Sequence, residues 1–328
     1  MKQEQFIRRY EGDWKALQAW LDASADARGR SNEGGVTVDP GEVPALYRRV
    51  CHHLALARSR TYSPRLVDRL AQLAQDGHDR LYAERGWSPM RVVHFIARDL
   101  PRTVRAEWRL VALSGLVFWG TLLCMIAVLQ FEPEFVHRVM TAANIAELEH
   151  QYDPAREREA RDSAQGFVMF GFYVYNNAGI GFRTFASGVL FGIGTVFTLF
   201  YNGLVIGAAA GHLTQLGFIE TFWGFVAGHS AFELTAIVLS GAAGMKLGFA
   251  LLMPGRLRRM EALRVSAHRI LPLVYGACLL FIMAAVIEAF WSPRQWVPVH
   301  LKYIVGIGLW MLTAWYFLRV GRGGRNGP

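Results

Sequence analysis

His229 and Glu233 stand four residues apart in the run Ala227–Leu234 (AGHSAFEL), so on a helix they share a face and can hydrogen-bond to one another. A histidine beside a carboxylate in apolar surroundings admits three readings. It is a buried pair that satisfies itself and pins helix packing, a lining of a proton or ion pathway, or part of a metal site. Metal ligation needs more than two ligands and the sequence names no third, so no metal is expected. Lys246 and Glu288 also stand out at this depth, as do the asparagines Asn176, Asn177 and Asn202. Each asparagine is most simply an interhelical hydrogen bonder, and with His229 and Glu233 the three make a candidate intramembrane polar cluster. Lys246 can snorkel or pair with a carboxylate. Glu288 and His300 flank an expected external turn, where solvation explains them.

Covalent chemistry finds no motif to carry it. Gly228-His229-Ser230-Ala231-Phe232 has Phe232 where a nucleophile elbow requires glycine. Ser230 follows His229, so there is no HExxH, and no P-loop is present. Cys51, Cys124 and Cys278 are widely spaced, which excludes a disulfide framework and a cysteine zinc site. Neither catalysis nor a cofactor is expected.

What must position the polar residues is a set of membrane helices. The chain has 328 residues, 52% hydrophobic and 19% charged, with a net charge of +9. The charge is unevenly placed: residues 166–252 carry only Arg183, Glu220, Glu233 and Lys246. No soluble domain of that length is so free of charge. Leu110–Phe131 is the first uncharged stretch able to cross a bilayer, and further spans are expected at 186–211, 222–252, 271–291 and 303–320. The third is long enough to be broken, with Gly241 and Gly244 as the expected break points. The N-terminus has no apolar stretch of the signal-peptide kind.

Arginine placement orients these spans. Arg102, Arg105 and Arg109 precede the first; the 254–270 loop and the tail (Arg319, Arg322, Arg325) are again arginine-rich, whereas 132–165 is mainly acidic. Both termini are therefore expected in the cytoplasm of a bacterium, with the chain in the inner membrane and 132–165 outside. Five spans would put 254–270 on the wrong side. A sixth crossing at Phe167–Phe182 repairs this, and a five-span arrangement with that segment in the interface is the alternative.

The fold class expected is all-α: a polytopic bundle over 106–328 preceded by a soluble helical domain over 1–105. In that domain Phe6, Trp14, Leu17 and Leu21 form a helical stripe, and 22–41 reads as a loop. A second helix covers Val43–Ser59. Ser63-Pro64 and Ser88-Pro89 each read as an N-cap before a first-turn proline, opening helices near 64–83 and 89–99, with Pro101 ending the last. Its arginines interleave with acids beside an anionic leaflet, so a lipid-facing or solvated surface is expected and no nucleic-acid partner.

Glycines four apart mark close packing of membrane helices: Gly203, Gly207 and Gly211 on one face, with Gly188/Gly192, Gly224/Gly228 and Gly244/Gly248 repeating the spacing. Such faces in several helices suggest a homodimer in the lipid bilayer.

Paired Asn176–Asn177, the Gly188/Gly192/Gly194–Thr195 series, Asn202-Gly203, and His229 with Glu233-Leu234 and Ala236 occur together. With Gly241–Gly244 and Pro254-Gly255 they form a set that resembles the stage II sporulation protein M family of integral membrane proteins. The N-terminal part, with Leu46-Tyr47-Arg48-Arg49 and Leu81-Tyr82, is similar to the cytoplasmic extension of its longer, non-sporulating members. The resemblance implies a membrane scaffold without catalysis, docking a cytoplasmic partner such as a MoxR-type ATPase and meeting cell-envelope proteins. A transporter or channel lined by Asn177, Asn202, His229 and Glu233 stays open beside it; a hydrated path reaching His229 would favour the latter.

Overall fold

The computed structural model describes residues 1–26, 41–81, 89–155 and 163–322. Most of the expected 22–41 loop, Tyr82, Ser88, the stretch 156–162 and Arg325 lie outside the described residues. The described residues are helical, with no strand among them, and divide into two compact units, Met1–Ser88 and Pro89–Pro328.

The first unit holds α1 (Gln3–Asp26), α2 (Val43–Ser59) and α3 (Pro64–Leu81). Its core is the expected stripe of Phe6, Trp14 and Leu17 packed against Val43, Leu46, Val50 and Leu70. Ser63 does not act as a side-chain cap: its N–H donates to Gln3 Oε1 at 2.9 Å and its hydroxyl accepts from Gln3 Nε2 at 3.0 Å, which ties α3 back to α1. In the core, Trp14 Nε1–H donates to His53 Nδ1 at 3.2 Å. Burial pushes the His53 imidazole below its ordinary pKa, against the opposing pull of Asp13.

The second unit opens with α4 (Pro89–His94), a π-helical turn (Phe95–Asp99) and α5 (Leu100–Ala106). The residues 89–105 counted above with the soluble domain thus belong to the membrane unit, where α5 packs on the last two long helices. Pro101 does not end a helix. The helical run continues through it, from α4 and the π-helical turn into α5, and the Ile96 carbonyl in the turn before it accepts from Tyr316 Oη at 2.6 Å. Then follow α6 (Trp108–Phe131), short α7 (Val136–Val139), α8 (Ala142–Tyr152), α9 (Ser163–Ala186), α10 (Ile193–Gln215), α11 (Ile219–Val226), α12 (Ser230–Leu252), α13 (Arg259–Phe290) and α14 (Val299–Arg319). Five of them, α6, α10, α12, α13 and α14, are long and apolar enough to cross a membrane.

Glycine positions show how these helices run. Gly203, Gly207 and Gly211 of α10 meet Phe118–Leu122, Leu122–Met125 and Ile126–Leu129 of α6 in that order, so α6 and α10 are parallel. Glu107 meets Lys246 and Ser114 meets Val238, so α12 is antiparallel to α6. Gly181 faces Ser240 and Gly188 faces Gly244, so α9 runs with α12. A chain that leaves α6 at one end and enters the parallel α10 at the other must travel back between them, and α9 is the helix that does so.

Gly241 and Gly244 do not break α12. Both lie in its continuous middle, where Gly241 admits Ser114 and Leu199, and Gly244 admits Thr195 and the turn after α9. That turn places Phe191 at φ 54° and Gly192 at φ 80°, and Gly192 lies directly against Gly248. Lys246 does not snorkel; its Nζ reaches Glu107 at 2.9 Å. The glycine faces named above are thus occupied inside one chain, and a second copy would have to use another surface.

Candidate functional site

The break in the third expected span lies at residues 227–229, between α11 and α12. Trp291 packs onto Gly228 there, and His229 takes the N-cap position of α12. Interrupted membrane helices leave backbone and side chains at the break pointing into the protein rather than along a continuous helix. His229 is 4% exposed, with Phe225 edge-on to its ring at 5.4 Å. Its Nδ1 lies 3.2 Å from Ser292 Oγ, and the Ser292 carbonyl oxygen accepts from Lys302 Nζ at 2.7 Å. Its Nε2 is 3.7 Å from Glu233 Oε2, close enough for charge attraction and too long for a hydrogen bond.

Glu288 completes the group. It is not a solvated residue of an external turn; it lies in the last turn of α13, and its carboxylate accepts from Asn177 Nδ2 at 3.3 Å. Asn176 Nδ2 donates in turn to Asn177 Oδ1 at 3.2 Å. One ligand-capable atom from each of His229, Glu233 and Glu288 lies within 4.8 Å of the others. The structure therefore brings together Asn176, Asn177, His229 and Glu233 of the expected cluster. Asn202 is not among them: its Nδ2 donates to Thr198 O at 2.8 Å, one turn back on its own helix. His300 is exposed.

A cavity of about 930 Å³ reaches this cluster, lined by Asn176, His229, Glu233 and Glu288 and otherwise mainly by apolar and aromatic side chains of α6, α10, α11 and α14. Trp119 and Trp310 meet edge-to-face across it at 5.6 Å, and Trp310 Nε1 donates to Ser230 Oγ at 3.3 Å. Beyond Glu233 the core closes: Ser114 Oγ donates to Val238 O at 2.8 Å, and Ala236, Ile237, Leu239, Ala242 and Ala243 are fully or almost fully buried. The rim of the pocket includes the exposed side chains of Leu123 and Ile307, from the middle of α6 and α14.

Sequence reasoning marked Glu288 but gave it to solvent, and it missed Ser292 and Lys302. Glu288 carried a signal, an acid within a predicted span, which nearness to a turn hid. It also missed His212 of α10, whose Nε2 lies 2.7 Å from Glu149 of α8.

Residues 110–293 match the family described as stage II sporulation protein M, more than half of the chain. The chain belongs to that family. The match runs from α6 to just past α13, so every member of the pocket cluster except Lys302 lies inside it. Residues 4–83 match separately a domain of unknown function, DUF8413, whose limits fall within the first compact unit. No curated protein and no solved structure matches the chain. The resemblance read from the motifs thus holds for the membrane part, and the N-terminal helices match a separate domain of unknown function.

Proposed function

We propose that this member of the stage II sporulation protein M family is a non-catalytic membrane scaffold. Its α1–α3 unit docks a cytoplasmic partner, a MoxR-type ATPase being the candidate, and its opposite end meets envelope proteins. The observation that carries this is the closed floor of the pocket: the polar residues line a recess, not a path from one end of the bundle to the other. A separately packed soluble unit with a complete core of its own supports a docking role. The directions of α6, α9 and α10 support six crossings, and the 24 residues of α9 reach about 36 Å against a hydrocarbon core of about 30 Å. The arginine-rich 254–270 loop then shares a side with both termini, the cytoplasmic face of a bacterial inner membrane.

Co-purification in mild detergent with a MoxR-type ATPase of the same organism tests the docking role. The full chain should retain the ATPase and a chain lacking residues 1–88 should not. Equal retention by both refutes the assignment to α1–α3. Proton or metal-ion flux into proteoliposomes that Glu233→Gln abolishes would replace the scaffold with a transporter. Cysteine labelling should reach His150 and Trp296 from outside and Arg60 and Met260 from inside, all exposed positions; labelling of position 260 from outside removes the sixth crossing.

A further inference from the structure

The geometry points to a divalent transition-metal site, of the zinc class, formed by His229 Nε2 and the carboxylates of Glu233 and Glu288 at the inner end of the pocket. Two successive helices supply the ligands: His229 at the break before α12 and Glu233 one turn into it, with Glu288 from the last turn of α13. Their ligand atoms lie within 4.8 Å of one another. Donors bound to zinc at about 2.0–2.2 Å stand about 3–3.6 Å apart in a tetrahedral site. Side-chain rotation of about an ångström closes that difference, with the helices left where they are.

The setting of His229 is a second and separate observation. A metal-ligating histidine almost always holds its other ring nitrogen in a hydrogen bond that fixes orientation and tautomer. His229 has that arrangement: Nδ1 is against Ser292 Oγ, and Ser292 is held from behind by Lys302. With Nδ1–H donating to Ser292, Nε2 is left with its lone pair directed at the two carboxylates. The side chain is 5% exposed, yet Nε2 has no hydrogen-bond partner, since Glu233 stands off at 3.7 Å. Nε2 is not one of the fully buried unpaired polar atoms of the described residues; it borders the cavity, open to a ligand there. Glu233 likewise receives no hydrogen bond from a described residue. A cation between the three groups satisfies both atoms at once. The cavity supplies an entry route and room for a water or a further ligand on the open side. One imidazole with two carboxylates suits zinc better than magnesium or calcium, which take oxygen donors.

The test uses the full-length protein in mild detergent, stripped with a chelator and then titrated with Zn²⁺ alone. One zinc per chain should survive gel filtration and raise the thermal midpoint, and Mg²⁺ at the same concentration should do neither. Co²⁺ in place of zinc should give the visible absorption of a low-coordinate N/O site. Glu288→Gln keeps the shape of the side chain and its acceptor for Asn177, and should weaken zinc binding more than tenfold with an unchanged gel-filtration profile. Ser292→Ala, which frees the ring of His229, should weaken it by about 10–100-fold through positioning alone. Zinc that fails to bind the wild-type chain overturns the assignment. So does full stoichiometry in the His229→Asn/Glu288→Gln double variant, which would place the ion elsewhere. Should a variant aggregate, the wild-type stoichiometry and the cobalt spectrum decide.

Discussion

Gly207→Ala tests the α6–α10 contact directly, because a single methyl group there meets backbone. A Cβ at Gly207 would stand 2.6 Å from Leu122 O, 2.9 Å from Met125 Cβ and 3.0 Å from Leu122 Cα. Ordinary contact begins at 3.4 Å, so α10 must move away from α6 by up to 0.8 Å. That shift also loosens Gly203, whose Cβ position lies 2.6 Å from Phe118 O, and Gly211, 3.1 Å from Ile126 Cα. Overpacking of this kind costs about 1–3 kcal/mol. Gly120 of α6 is the internal control, since nothing lies within 4 Å of its Cβ position. Gly120→Ala should be neutral or stabilising by roughly 0.5–1 kcal/mol, from helix propensity alone. Thermal unfolding in one detergent, followed by circular dichroism, compares the two. At roughly 2–4 °C per kcal/mol, a difference of about 2 kcal/mol separates their midpoints by about 4–8 °C. Equal midpoints would refute the claim that glycine backbone contact holds α6 to α10.

Other expectations follow from single contacts. Lys246→Met should lower stability more than the double variant Lys246→Met/Glu107→Gln, because the single change strands a largely buried carboxylate; a double-mutant cycle should give a coupling of about 1–3 kcal/mol. Arg105→Ala removes the bond from Nη1 to Phe317 O at 2.7 Å near the end of α14, and should cost about 1–2 kcal/mol and speed proteolysis of the C-terminal turn. His53 has a folded pKa below its unfolded value, so the unfolded chain binds more protons as pH falls. The α1–α3 unit should hold full stability above the ordinary histidine range near pH 6.5 and lose it below, as protonation removes the acceptor of Trp14. Hydrogen exchange over Val43–Ser59 between pH 7.5 and 5 measures it; His53→Gln should flatten the dependence, and a flat wild-type profile would refute it.

The elements legible in the sequence are those whose signals are local. Val43–Ser59 forms a helix with the bounds expected because Pro44 in the first turn and the Leu46, Val50, Ala57 stripe sit on one helical period. The spans were visible because the absence of charge over some twenty residues needs no partner to interpret. Glycine is different: the same residue breaks a helix or lets a neighbour approach, and which it does depends on what lies opposite. Gly241 and Gly244 face Ser114, Leu199 and Thr195, so they serve approach, while the break falls beside Gly228, under Trp291. Pro101 carries a similar ambiguity between ending a helix and lying within one, resolved by the π-helical turn before it.

The candidate site was half legible for the same reason. His229 and Glu233 are four apart, so a helix makes them neighbours without any tertiary information. Glu288 joins them only because α13 packs antiparallel to α9, which sets Asn177 against it 111 residues away in sequence. Asn202 went the other way: polarity at membrane depth marked it, and it is bound away from the pocket, to Thr198 O on its own helix and, at 3.5 Å, to Thr184 Oγ1 of α9. Depth identifies which groups must be satisfied, whereas topology decides by whom.

The acidic segment after α6 shows what that distinction does to function. Read as a sequence it is an external stretch free to meet envelope proteins, yet its described helices pack down on the bundle. Val136 and Ile145 are buried against Met125 and Leu129, and Tyr152 lies against Phe222 and Phe225. Thr221 Oγ1 donates to Tyr152 O at 2.6 Å, and Glu149 holds His212. Tyr152 and Leu148 line the same cavity as His229. The segment is therefore the outer wall of the pocket as well as the surface that a partner at that end would touch. Anything that grips α8 from outside pulls on a wall whose far side faces Glu233 and Glu288. A partner at that end and an occupant of the pocket share one piece of structure, so each should alter the binding of the other, by the same factor in both directions.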